Sequence, residues 1–413
     1  MIELIILAAV LILITVRRIG RARLRIWQIM LGGALTALLL GRIGILDAAR
    51  AINMDIILFL IGMFVIGEAL SQSGFLAHIT YTLFRRAKSS SMLLLMIILC
   101  MGVSSAILMN DTLAIIGTPV MILLARKHDL PSGHLLIALA FAVTIGSVMS
   151  PIGNPQNLLI AMDGNMTNPF IVFFTYLAVP TILSLLVTYL ILRLAYRDHF
   201  NNGPITHSQE PIKDHRLANL SKVSLSIILA LIAAKIILFF FGRGDSISLT
   251  MISTAGALPI LCFSAKRATI VRRLDWHTVI FFCAMFVLMR AVWDGGIVQS
   301  WLETTDVDIL SLPLIFAAGI LGSQLISNVP LVALYLPVLQ HAGATTMQLV
   351  ALAAASTIAG NMLILGAASN VIIIQAAENQ GERCIRTWDF AKIGIPLTLL
   401  TAIIYASWLA LVS

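Results

Sequence analysis

Charge is what this sequence has least of. Only 11% of its 413 residues are Asp, Glu, Lys or Arg, while 59% are hydrophobic. A soluble domain of this size carries about a quarter of its residues as charge, so a water-exposed globular protein is excluded. Aromatic residues, at 7%, are unexceptional. The apolar excess is aliphatic and runs the whole length, which makes lipid the solvent for most of the surface. Cysteine is scarce too. Cys100, Cys262, Cys283 and Cys384 form no CxxC pair and read as packing residues, not as a disulfide or metal set. There is no HExxH, no GxSxG and no His or Asp pair on one helix face. An intramembrane enzyme is therefore a remote alternative, and no cofactor is expected.

What charge there is sits in short loops. The formal net charge is +8, yet no compact basic domain exists to hold a nucleic acid. The basic balance reads as membrane orientation. The first apolar run, 2–16, has no basic segment before it and is followed by Arg17, Arg18, Arg21, Arg23 and Arg25, with no small-residue cleavage site. A retained first helix with its N-terminus outside fits this pattern. A span needs roughly 20 apolar residues. Ten are predicted, over about 2–16, 26–46, 51–70, 133–162, 169–195, 221–241, 246–263, 275–293, 346–376 and 391–412.

Two further apolar stretches behave differently. The first, about 91–125, has Arg85, Arg86 and Lys88 before it, Arg126 and Lys127 after it, and Asn110-Asp111-Thr112 in its middle. Both ends should be cytoplasmic, so a re-entrant hairpin is predicted. The second, about 309–340, follows the acidic loop Glu303, Asp306, Asp308 and should have both ends outside. With this topology all but five of the 27 Lys and Arg residues face the cytoplasm. Arg42, Arg50 and Arg243 face outside, and Lys235 and Arg290 fall within spans. Both termini are then outside a multi-pass protein of the cell's inner (plasma) membrane. Lys235 is expected to snorkel to the outer interface, and 75–84 to form an amphipathic arm on the cytoplasmic surface.

The halves resemble each other at fixed offsets. Met63-Phe64, Gly67-Glu68 and Gly74-Phe75 answer Met285-Phe286, Met289-Arg290 and Gly296-Ile297. MNDTLAIIGTPV, containing Asn110, answers SNVPLVALYLPV, containing Asn328, each with a proline nine residues on (Pro119, Pro337). TIGSVMSPIGNPQN (144–157) answers TIAGNMLILGAASN (357–370). Each half holds five spans and one hairpin. Five is odd, so the second repeat is inverted. The fold expected is an all-α polytopic membrane protein of two inverted repeats, 1–197 and 221–413, joined by a cytoplasmic linker at 198–220.

Chemistry should sit where helices break in the membrane. Asn110, Asp111 and Thr112 occupy the first hairpin tip. Ser327 and Asn328 occupy the second, where Pro330 is read as a breaker. Half-helices meeting there present free N–H groups to an anion and free carbonyls to a cation. In the span after the first hairpin, Pro151 and Pro155 each remove an N–H, and Gly153 permits unwinding between them. Ser147, Ser150, Asn154, Gln156 and Asn157 add side-chain oxygens and amides. The second copy offers Gly360, Asn361, Gly366, Ser369 and Asn370 but has no proline. Asn, Ser and Gly also serve as packing and hydrogen-bond glue in membrane helices. Asp111 stands out, because an acid deep in the membrane is expensive. It can hold a coupling cation, carry a proton, or cap the second half-helix. Glu68 and Arg290, equivalent and opposite in charge, either pair across the pseudo-twofold axis or face separate loops.

Asn110-Asp111 with Thr118-Pro119, GNPQN (153–157) and SNVP (327–330) resemble the ion transporter superfamily, nearest its arsenite permease and sodium/proton antiporter-like branch. The resemblance covers nearly the whole chain from about Ile26. It implies an elevator-type carrier, usually a homodimer, with a scaffold part and a moving part. In related divalent-anion symporters Ser-Asn-Thr at both tips binds sodium and carboxylate. Here the tips read Asn-Asp-Thr and Ser-Asn-Val, the first being similar to arsenite permeases. Carried over, Asn110, Asp111, Ser327 and Asn328 are candidate sodium ligands. The function expected is secondary transport of a small anion or oxyacid coupled to H+ or Na+, with sodium/proton antiport as the alternative and a channel as a remote one.

Overall fold

The computed structural model describes residues 2–412 except 17, 20, 21, 24, 85, 165, 167, 201–213, 244, 245, 297, 298, 301–307, 383 and 384. Much of the acidic loop 303–308, most of the linker, Arg17, Arg21, Arg85 and Cys384 thus lie outside the described residues. The first half runs α1 (Ile2–Val16), α2 (Ile26–Leu39), α3 (Ile45–Ala51), α4 (Met54–Ser73), α5 (Phe75–Phe84), α6 (Ser90–Ser105), α7 (Asn110–Lys127), α8 (Ser132–Ser147), α9 (Pro155–Asp163) and α10 (Pro169–Ala195). The second runs α11 (His215–Phe240), α12 (Leu249–Phe263), α13 (Arg267–Arg272), α14 (Trp276–Asp294), α15 (Leu312–Ile326), α16 (Asn328–His341), α17 (Thr346–Ile358), α18 (Ala368–Glu378) and α19 (Thr387–Val412). A departure from the all-α expectation is a minimal antiparallel ladder pairing Arg18 with Arg23 and Ile19 with Ala22.

Local chemistry sets many helix ends. Asn53, Ser89, Asn168, Asp214, Ser248 and Asp275 each accept a bond from the backbone N–H three residues on. Gly74, at φ 70°, closes α4 in the left-handed conformation that frees α5 to turn away.

Five helices are long and apolar enough to cross a membrane: α4, α10, α11, α14 and α19. Exposed Leu39, Phe174, Leu194, Phe240, Phe241 and Leu411 give the exterior an apolar coat. Several predicted spans are modified. The span at 26–46 ends at Leu39, and α3 follows as a separate helix. The one at 221–241 starts earlier, at His215. The spans at 133–162 and 346–376 are each two helices with a break between.

Helices pack in two groups. α4 lies on α12 and α2 on α14, with α1 and α11 flanking. In the other group α6 and α7 hold α8, α15 and α16 hold α17, and α10 lies along α19. Within it α7 reaches α18 and α16 reaches α9, so each post-tip helix meets the broken segment of the opposite half. Every residue from Leu135 to Ser147 and from Leu349 to Ile358 is buried, making α8 and α17 the central posts. Close approach requires glycine here: a Cβ on Gly146 would collide with the Gly102 backbone of α6.

Lys235 is 4% exposed, and its Nζ donates to the Ile247 carbonyl at 2.6 Å, in the turn between α11 and α12. α5 is a helix as predicted, with Phe75 and Phe84 buried against the body.

Candidate functional site

Both tips turn in the same unusual way. The residue before each Asn has positive φ without being glycine: Met109 at φ 50°, ψ 135° and Ser327 at φ 73°, ψ 159°. Such backbone costs about 1–3 kcal/mol at a non-glycine residue and persists only where its surroundings enforce it. Pro330 does not break a helix. It sits in the first turn of α16, where no N–H partner is missing.

The first broken segment is internally satisfied. The Asn110 N–H donates to the Gly153 carbonyl at 2.8 Å, tying tip to break. Asn154 caps α9 by accepting from the Asn157 N–H at 2.8 Å, and its Nδ2 donates to Ser147 Oγ at 2.9 Å. Asn157 Nδ2 faces the carbonyls of Ser147, Val148 and Ser150 at 3.1, 3.2 and 3.0 Å. The Ser147 carbonyl, which the missing Pro151 N–H cannot serve, is thus taken by this amide. Ser150 Oγ accepts from Ile152 N at 3.3 Å.

The second break exists without proline. α17 ends at Ile358, two short 3-10 turns follow at Ala359–Asn361 and Ile364–Gly366, and α18 begins at Ala368. Asn370 Nδ2 donates to the Gly360 carbonyl at 2.7 Å, the counterpart of the bond from Asn157 to Ser147. Gly366 is packed against the Ala359 carbonyl and the Gln324 side chain. Here satisfaction stops. Asn328 Oδ1, both side-chain atoms of Asn361, Ser369 Oγ, Asn370 Oδ1, Gln324 Oε1 and Ser323 Oγ are buried with no hydrogen-bond partner. Each such atom costs about 1–3 kcal/mol, so a cluster calls for a ligand.

The two segments meet through a pair of threonines. Thr357 of α17 donates to Asn157 Oδ1 and receives bonds from Asn154 and Gln156, each at 3.2 Å. Thr144 of α8, its counterpart, lies against Gly360, which in turn adjoins Asn328 Nδ2. Asn110, Gly153, Ser147, Thr144, Gly360 and Asn328 therefore form one continuous run, with Asn110 and Asn328 each 5% exposed. Thr144, Thr357, Ser323 and Gln324 were not singled out from sequence. The coincidence of the two threonines between the halves was the available signal.

Asp111 stands apart from this run. Its carboxylate has no hydrogen bond or ion pair among the described residues, and it lines a small cleft with Thr112, Glu68, Arg273 and Asp275. Thr112 packs on Gly67 of α4 so closely that a Cβ there would lie 2.8 Å from its side chain. Glu68 and Arg290 do not pair. Glu68 accepts from Gln72 at 2.8 Å and Arg290 donates to Asp294 at 2.8 Å, each lining a cleft of its own. Among the described residues no three His, Cys, Asp or Glu gather to hold a metal, and Cys100, Cys262 and Cys283 are free thiols.

Known proteins give this geometry a family. A family model described as a citrate transporter matches residues 9–359. The 46 kDa membrane protein of Mycobacterium leprae is 26% identical over 372 residues, covering 85% of this chain and 84% of its own. A silicon efflux transporter of Oryza sativa subsp. japonica is 26% identical over 428 residues, covering 87% of each. Among solved structures, the Alcanivorax borkumensis YdaH transporter matches with a TM-score of 0.59 at 15% identity over 99% of this chain and 97% of its own, a likeness of fold.

Proposed function

The chain belongs to the citrate transporter (CitMHS) family, a multi-pass membrane transporter, and from that membership we propose that it is a secondary active carrier for a small anion or oxyacid, coupled to H+ or Na+. The observation that carries this reading is the run of broken helices from Asn110 to Asn328, complete in its first half and short of partners in its second. Neutral amides, hydroxyls and carbonyls suit a solute or cation that sheds its water on binding.

The binding machinery proposed is Asn110, Ser147, Ser150, Gly153, Asn154 and Asn157 on one side. On the other are Ser327, Asn328, Gly360, Asn361, Gly366, Ser369 and Asn370. The first set is closed by its own side chains, so cargo or sodium contacts fall mainly on the second. Asp111 and Thr112 serve the coupling ion at the cleft below the first tip. Two inverted repeats, 1–197 and 221–413, account for the matched positive-φ tips and the exchanged threonines. The group around α4, α12, α2 and α14 is the scaffold. The group holding both tips is the moving part of an elevator, working in a homodimer in the cell's inner membrane. α6–α7 is re-entrant from the cytoplasm and α15–α16 from outside, with both termini outside.

Sodium/proton antiport is the second reading, favoured by the unpartnered Asp111 carboxylate beside Glu68 and Asp275. Uptake of labelled citrate and arsenite into proteoliposomes, run beside sodium-driven proton flux, separates the two. Saturable uptake with counterflow, lost in Asn328→Ala, supports anion carriage. Proton flux with sodium and no solute uptake supports antiport.

A further inference from the structure

All but five of the Lys and Arg residues fall in the loops assigned to one face, and four of those five have visible surroundings of their own. Arg42 faces Glu3 at 3.5 Å. Lys235 donates to the Ile247 carbonyl. Arg50 and Arg290, far apart in sequence, line the same cleft. The cleft holds about 370 Å³, within the range of about 300–1,000 Å³ typical of small-molecule sites. Its floor is α16, through Ala333, Pro337 and Gln340, the helix that leaves the second tip.

The positive charge in this cleft is only partly spent internally. Arg50 has no ion-pair or hydrogen-bond partner among the described residues. Arg290 gives only its Nε to Asp294, at 2.8 Å, so its two terminal nitrogens remain available. The one carboxylate lining the cleft, Asp163, is held at 2.9 Å by the Asn53 amide and forms no ion pair with either arginine. A guanidinium is a forked, permanently charged donor suited to carboxylate or phosphoryl oxygens. Trp293 also lines the cleft.

The other cleft makes the contrast. It is reached at equivalent positions, with Phe64 for Phe286 and Glu68 for Arg290. It holds only about 70 Å³, and Glu68, Asp111 and Asp275 outnumber its single arginine, Arg273. The two mouths are opposite in sign. A carrier handling only neutral solute has no use for that inversion.

We infer that the Arg50–Arg290 cleft is a docking site for a multiply charged small anion, carboxylate or oxyanion, distinct from the tip residues and feeding them from one side of the membrane. Its place on a transport path rests on the carrier reading; its binding does not. Two cations at the edge of one cleft raise local anion concentration and on-rate, so the site acts chiefly on apparent affinity.

The test titrates purified full-length protein with citrate, phosphate and neutral glycerol while reading Trp293 emission, with Trp293→Phe to identify its contribution. Wild type should respond to citrate or phosphate and not to glycerol. Citrate alone would identify carboxylate chemistry and phosphate alone oxyanion chemistry. The double variant Arg50→Gln/Arg290→Gln should need about ten times more anion. Asp294→Asn, which releases Arg290, should need less. Asn328→Ala should keep the response while losing transport. An undiminished response in the double variant, an equal response to glycerol, or none to either anion overturns the docking site and leaves the carrier reading intact. Transport surviving Asn328→Ala, with the anion response unchanged, sinks the assignment of Asn328 to the solute path and leaves the docking site.

Discussion

Thr357 is the hinge of the first polar segment. One hydroxyl serves Asn154, Gln156 and Asn157, all fully or nearly buried. Replacing it by Val keeps the shape and leaves amide groups unpaired, at about 1–3 kcal/mol. Thr357→Val should therefore lower the melting temperature in detergent. Thr144→Val should not, because the Thr144 Oγ1 has no partner to lose. Equal losses for the two variants would count against this asymmetry. Sequence made part of this legible. Asn110, Gly153, Asn154 and Asn157 are visible as polar punctuation in apolar runs, and they do come together. Asp111 drew attention for the same reason yet lies off the run, because a charge in lipid announces itself whichever way it points. Gln324 and Ser323 were passed over because they sit inside a continuous apolar helix, and their unpaired state is a property of packing that no spacing rule reveals.

Breaks and clamps belong to the elements. The break after α8 was legible in Pro151 and Pro155. The one after α17 was legible only through the repeat, since it is made by Gly360, Gly366 and the Asn370 amide without any proline. Span ends drifted for a similar reason: at His215 a cap by Asp214 starts the helix before the apolar run does. Glycines at crossings carry their own expectation. Gly146→Ala should destabilise by more than about 1–3 kcal/mol, because the colliding group is backbone and cannot yield. Thermal unfolding measures it, and a neutral result would mean the α6–α8 contact is looser than described. A clamp outside the membrane adds a pH dependence. Glu382, between α18 and α19, accepts from Ser132 Oγ at 2.6 Å and from Arg126 at 2.7 and 3.0 Å. The Ser132 hydroxyl, then the Arg126 guanidinium, hold its carboxyl below the usual carboxylate range. The folded state binds this proton less readily than the unfolded one. Its contribution is thus present above the ordinary carboxylate value and is lost as pH falls through the lowered one. Glu382→Gln should lower stability modestly at neutral pH and match wild type in acid. A gap that widens in acid would contradict the clamp.

For the molecule as a whole, the repeat in the sequence has structural counterparts in the two positive-φ tips, the matching amide-to-carbonyl bonds and the reciprocal contacts of α7 with α18 and α16 with α9. Their near-equivalence fits the proposed alternating access, in which two faces of one carrier open by similar geometry. The departures from equivalence are as informative. Polar atoms are satisfied on one side and not the other, and the two clefts differ in size and sign. The opposite signs were visible in the aligned pair Glu68 and Arg290, but the differences in size and in polar satisfaction were not, because they arise where unlike residues such as Gly67 and Met289 fill equivalent places. The central claim is that both tips build one site that carries solute across the membrane. Counterflow of labelled citrate in proteoliposomes, in wild type and in Asn110→Ala and Asn328→Ala, tests it most directly. Saturable counterflow is expected in wild type and its loss in both variants with insertion unchanged; wild-type rates in either variant, or non-saturating flux with single-channel currents, would contradict a shared site.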